Sequence, residues 1–70
     1  MVSYKKLWKL LIDKDMKKKE LMEAAGVSHY VLYKLQKNQN VTAGVLTKIC
    51  NALGCTLDDI CEILPDEDKN

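Results

Sequence analysis

Phenylalanine and arginine are absent from this 70-residue chain, and tryptophan and proline occur once each. Without phenylalanine the core must be mainly aliphatic, with Trp8 as its one large anchor. Without arginine, the planar fork that grips guanine through two parallel bonds is missing, so every cationic side chain is a lysine point charge. No apolar run approaches bilayer length and the N-terminus has no signal-peptide core, so a soluble, non-exported chain is expected. No two cysteines show C-x-x-C spacing. Cys50, Cys55 and Cys61 are an odd number, and Cys50 and Cys61 fall on apolar helical positions, where a thiol packs as a small hydrophobe. A zinc site would need a fourth ligand, and His29 belongs to a different segment, so neither metal nor cofactor is expected. Unpaired thiols point to a reducing, cytoplasmic setting.

The apolar fraction of 47% is enough for a packed core, while the length allows one small domain near the size where a single core becomes marginal. Residues 1–65 read as that domain and 66–70 as a charged tail. Charge is unevenly spread. Residues 1–48 carry ten lysines against four acids, and residues 49–70 one lysine against six. A basic front with an acidic end suits a polyanion on one side only; ordinary surface solvation is the blander explanation.

Apolar spacing along the chain is helical throughout. Tyr4, Leu7, Trp8 and Leu11 repeat at i, i+3, i+4, i+7 behind Ser3, a candidate N-cap, and Asp13 to Met16 ends this first helix. A second helix is expected over about 18–25, closed by Gly26 in the left-handed conformation. Ser28 caps a third helix that ends near Lys37, and the polar turn Asn38-Gln39-Asn40 follows, with asparagines that tolerate positive φ. Thr42 caps a fourth helix whose stripe is Leu46, Ile49, Cys50 and Leu53, and Gly54 closes it. Thr56 and Asp59 make a capping-box pattern for a fifth helix burying Leu57, Ile60, Cys61 and Leu64 and stopping before Pro65. The expected fold is an all-α, compact five-helix orthogonal bundle.

Within it, Leu21 to Leu35 is the most telling segment. Its apolar residues (Leu21, Ala25, Val27, Leu32, Leu35) fit neither one continuous helix nor a hairpin. They fit a helix that stops at a glycine, a short turn and a second helix crossing the first, the plan of a helix-turn-helix. With Leu32 and Leu35 inward, His29, Tyr30, Tyr33 and Lys34 face out. Lysine and histidine can donate to guanine acceptors, and tyrosine rings can meet thymine methyls or give a hydroxyl to phosphate. Lys17-Lys18-Lys19 places three like charges at a helix N-terminus, against the dipole, a small penalty that suits an anionic partner.

The string Leu21-Met22-Glu23-Ala24-Ala25-Gly26-Val27-Ser28, followed by Val31-Leu32-Tyr33-Lys34-Leu35, resembles the Cro and phage-repressor-like (XRE-like, lambda-repressor-like) helix-turn-helix family. Leu46, Ile49, Cys50, Ala52, Leu53 and Gly54 look like its fourth helix, and Leu57-Asp58-Asp59-Ile60 like its fifth, so about sixty residues are covered. The resemblance implies a sequence-specific DNA-binding regulator of bacterial or phage type, an activator or repressor acting by occupancy. Its third helix (28–37) would read the major groove while the second braces it. Carried over by position, His29, Tyr30, Tyr33 and Lys34 would contact bases, and Lys17, Lys18, Ser28, Lys37, Asn38 and Asn40 phosphates. The chain departs from the family pattern at Met22, where alanine is usual, at Lys18 for glutamine, Gln36 for glutamate and Asn38 for glycine.

One reading helix covers too few base pairs to select a site in a genome, so a homodimer on a palindromic duplex is expected, with Ile63 and Leu64 as the first choice of dimer surface. The rival reading is a helical adaptor of the same fold that binds protein through Tyr30 and Tyr33. An enzyme is not expected. His29 has no nucleophile or orienting carboxylate placed beside it, and so small a bundle offers Asp58, Asp59 and Glu62 no pocket.

Overall fold

The structure, a computed structural model, describes residues 1–65. The element order is β1 (Val2–Ser3), α1 (Lys5–Asp13), α2 (Lys18–Ala25), α3 (His29–Gln36), α4 (Ala43–Leu53), a single 3-10 turn over Leu57–Asp59, and β2 (Glu62–Ile63). The expected charged tail at 66–70 lies outside the described residues.

α2, α3 and α4 form where their caps and stripes place them. The Ser28 hydroxyl accepts the Val31 N–H (3.2 Å) and the Thr42 hydroxyl accepts that of Val45 (3.3 Å), each satisfying one orphan donor of a first turn. At the start of α2 the Glu20 carboxylate reaches back to the Lys17 N–H at 2.7 Å, the acidic half of a capping box. All four helices end the same way. The residue after the last turn is left-handed, and the next N–H bonds back to a carbonyl five residues earlier: Met16 to Leu11 (2.9 Å), Val27 to Met22 (3.1 Å), Gln39 to Lys34 (2.9 Å) and Cys55 to Cys50 (3.1 Å). Gly26 (φ 69°) and Gly54 (φ 65°) supply two of these reversals, and Asp15 (φ 57°) and Asn38 (φ 56°) the other two.

The core is aliphatic apart from Tyr4. Leu7, Leu11, Leu21, Leu35, Ile49, Leu53 and Ile60 are buried, with Trp8, Met16, Val31, Leu46, Cys50 and Cys61 packed around them. α2 lies against α3 and α4, and the 3-10 turn bridges α1 and α4.

The chain is mostly helical, but two expectations give way. Among the described residues, the expected five-helix, all-α bundle is instead four α-helices with one two-stranded sheet. The Thr56–Asp59 pairing is real: Asp59 accepts from both the backbone N–H and the hydroxyl of Thr56, each at 3.1 Å. It opens only one 3-10 turn, however, after which the chain extends. Glu62 and Ile63 then pair antiparallel with Ser3 and Val2, and the Leu64 N–H reaches the Met1 carbonyl at 2.7 Å. Leu57, expected inside, is therefore 48% exposed, while Ile60 is fully buried. Ser3 is likewise not the N-cap of α1. It sits in β1, its hydroxyl accepting the Lys5 N–H at 3.3 Å, and Tyr4 occupies the cap position.

Candidate nucleic-acid interface

Val31 and Leu35 hold α3 to the core, Leu35 with no exposed surface. That anchoring decides what the opposite side presents. His29, Tyr30, Tyr33 and Gln36 are exposed, Tyr30 at 69% and Tyr33 at 53%; Leu32 and Lys34 are half-buried. Two large aromatic rings thus stand in water on an eight-residue helix, an arrangement that apolar burial alone does not favour.

Each ring carries a lysine one turn on. The Lys34 ammonium lies over the Tyr30 ring at 5.6 Å and that of Lys37 over Tyr33, also at 5.6 Å. These i, i+4 pairs are attracted through the ring quadrupole, which limits the sweep of two otherwise mobile side chains. A third pair crosses between helices. Lys18, the first residue of α2, holds its ammonium 5.0 Å from the Trp8 ring of α1. Three lysine charges are therefore held at defined places along α2 and α3.

The N-termini of α2 and α3 add to this positive field, since first-turn N–H groups have no intrahelical acceptors. Lys17 offers no side-chain acceptor to the first turn of α2, and an external anion would be welcome there. The Ser28 oxygen is occupied as acceptor by Val31, leaving its hydroxyl proton to donate outward.

Asn38 and Asn40 fare differently. Asn38 Oδ1 accepts the Tyr4 N–H at 3.1 Å, and the Tyr4 hydroxyl donates to the Gln39 carbonyl at 2.8 Å. The loop after α3 is thereby tied to the start of α1, and only the amide NH₂ of Asn38 is left for a ligand. Asn40 is exposed and lines a groove with Val2, Tyr4 and Ile63, on the same loop. Burial, with the nearby Cys61 second, raises the Tyr4 phenol above the ordinary tyrosine value, so it stays a hydrogen-bond donor.

His29, Tyr30, Tyr33, Lys34, Ser28 and Lys37 thus lie on α3 and its two ends, and Lys17 and Lys18 lie at the start of α2. Trp8 has a second role that sequence reasoning missed: packed against the core but only half-buried, with Tyr4 instead as the large buried anchor, it also supports Lys18. The i, i+4 spacing of Tyr30–Lys34 and Tyr33–Lys37 was a readable signal; the Trp8–Lys18 pair, across a turn and between helices, was not.

A two-helix unit with a braced, polar-faced second helix defines a helix-turn-helix protein. The family model of the Cro/C1-type HTH DNA-binding domain matches residues 6–66, and the chain belongs to that family. Among solved structures it is similar to the crystal structure of the transcriptional regulator VanUg, with 60% identity and a TM-score of 0.88 over 93% of this chain and 87% of the other. No curated protein matches it. Among the described residues, no helix is long and apolar enough to cross a membrane.

Proposed function

We propose that this chain regulates transcription by occupying a short operator in double-stranded DNA, with α3 in the major groove and α2 braced across the backbone. His29, Tyr30, Tyr33 and Lys34 read base edges. Lys17, Lys18, Lys37, Ser28, Asn40 and the free amide of Asn38 hold phosphates. The observation that carries this reading is the exposed α3 face, where two tyrosine rings each support a lysine while Leu35 pins the helix from behind. Bound protein then blocks or recruits polymerase. The free thiols suit a reducing cytoplasm.

The working unit is a homodimer on a palindrome, because one reading helix specifies too little sequence. Ile63 (75% exposed) and Leu57 (48%) leave apolar surface around β2 for the second copy; Leu64 is half-buried and contributes less. Selection of bound duplexes from a random pool, followed by anisotropy titration at two salt concentrations, tests the proposal. Salt-weakened binding to a two-fold site, lost in the Lys18→Glu, Lys37→Glu double variant, is expected. Indifference to DNA and to that double change would favour the adaptor instead.

A further inference from the structure

The three cysteines play no part in the DNA-facing surface, yet they gather around Cys50. Cys55 follows the αL residue Gly54, and its N–H bonds to the Cys50 carbonyl at 3.1 Å. This reversal brings the side chains of its first and last residues together, which is why apolar pairs are common at those two positions. Here both are thiols, half-buried, and near enough that Cys50 raises the Cys55 thiol. A backbone bond of this kind holds the two Cα atoms within the separation that a disulfide spans. Cys61 is tied to Cys50 only through the charge of Cys50, with no hydrogen bond between them, and it lines a different groove, beside Tyr4. Cys50 itself opens onto a shallow groove of about 240 Å³ with Thr56 and Leu57, so a small oxidant can reach it from solvent. Among the described residues no group of three or more histidines, cysteines or acids is arranged to hold a metal ion.

We propose that Cys50 and Cys55 are a reversible disulfide site, closed by a two-electron oxidant such as hydrogen peroxide. The Cys50 thiolate attacks one peroxide oxygen; the O–O bond breaks, hydroxide leaves, and a sulfenic acid forms. The Cys55 sulfur then attacks the Cys50 sulfur, the S–O bond breaks, and the departing hydroxide takes up the proton that Cys55 gives up. Two thiols and one peroxide become one disulfide and two waters. A dithiol reductant reverses the change by thiol–disulfide exchange. Burial, then the neighbouring Cys50, raises the Cys55 thiol above its ordinary value, with Lys14 opposing. Closure is therefore slow at neutral pH and quickens as pH rises. In a reducing cytoplasm the site stays open and closes under oxidative load.

The test uses the full chain, reduced, then treated with hydrogen peroxide and trapped with N-ethylmaleimide. The expected product is a monomeric chain about 2 Da lighter before trapping, with one maleimide instead of the three that the reduced chain takes up. Cleavage before Asp58 separates Cys61 from the other two cysteines and should leave the maleimide on the Cys61 fragment. Cys61→Ser should still close, and Cys55→Ser should not. Retention of three labels, a bridge that includes Cys61, or linkage between two chains would each overturn the assignment, and the wild-type fragment map decides it even if a variant folds poorly.

Discussion

The proposed phosphate contacts fix how steeply DNA affinity falls with salt. Lys17, Lys18 and Lys37 are three lysines offered to the backbone, and each that meets a phosphate releases condensed counterion. Three such contacts give log K against log salt a slope of about −2.7 per protomer, or about −5.4 for a dimer. Between 50 and 200 mM salt, one protomer then loses roughly 40-fold in affinity and a dimer roughly 1,800-fold. Lys18→Gln should flatten the slope by about 0.9 per protomer. Trp8→Leu separates charge from placement. It keeps the Lys18 ammonium but removes the ring 5.0 Å beneath it, so the slope should hold while affinity drops two- to fivefold, the worth of an exposed cation–π contact of about 0.5–1 kcal/mol. The assay is fluorescence anisotropy with a labelled operator duplex across a series of sodium chloride concentrations. A slope near zero, or one unchanged when Lys17, Lys18 and Lys37 are all replaced by glutamine, would refute the placement of these lysines on the backbone.

Three further outcomes concern stability. Leu35→Ala removes a side chain with no exposed surface and should cost about 3 kcal/mol in urea unfolding, abolishing DNA binding at temperatures where the variant melts. Asp15 and Asn38 share the left-handed conformation, yet replacement by glycine should act with opposite sign. Asp15→Gly relieves backbone strain for a gain of about 0.5–1 kcal/mol. Asn38→Gly gives the same relief but leaves the Tyr4 N–H without its acceptor, a loss of about 1–2 kcal/mol that dominates; equal signs in thermal melts would contradict this. Alkaline pH should weaken the fold. Tyr4, Cys55 and Cys61 all have pKa values raised by burial, so folding favours their protonated forms. Their contribution is complete below the unfolded-state values, about 8.5 for cysteine and 10 for tyrosine, and is lost as pH climbs through the higher folded-state values. Tyr4→Phe should make the decline above pH 9 or so shallower; a melting temperature flat from pH 7 to 11 would count against it.

The helices and caps around the site were legible because their signals are local. Gly26, Ser28, Thr42 and Gly54 each act within a turn of themselves, and the apolar stripes of α2 and α4 repeat at helical spacing. The same local pattern misled at the C-terminal end. Leu57, Ile60, Cys61 and Leu64 have helical spacing and a genuine Thr56–Asp59 box, but a helix there would forgo backbone pairing with Val2 and Ser3, some sixty residues away. Strands of two residues are too short for alternation to show, and nothing near Glu62 announces a partner at the other end of the chain. Asp15 escaped notice for a related reason: an aspartate can close a helix left-handed, but its identity signals that far more weakly than glycine's.

The orientation of α3 depends on contacts of this non-local kind. Tyr4 gives its N–H to Asn38 and its hydroxyl to the Gln39 carbonyl, so one residue at the head of α1 fixes the loop by which the chain leaves α3. The preceding residues, Val2 and Ser3, are paired with β2. The N-terminal strand, α1 and the exit of α3 are thus joined through a single buried tyrosine, with Asn38 in the conformation a glycine would otherwise supply. Where the family pattern has glycine, this chain gives up some backbone ease and gains a side-chain acceptor. The acceptor anchors the C-terminal end of α3, just as Ser28 caps its N-terminal end, and the exposed tyrosine–lysine face is held between two fixed points.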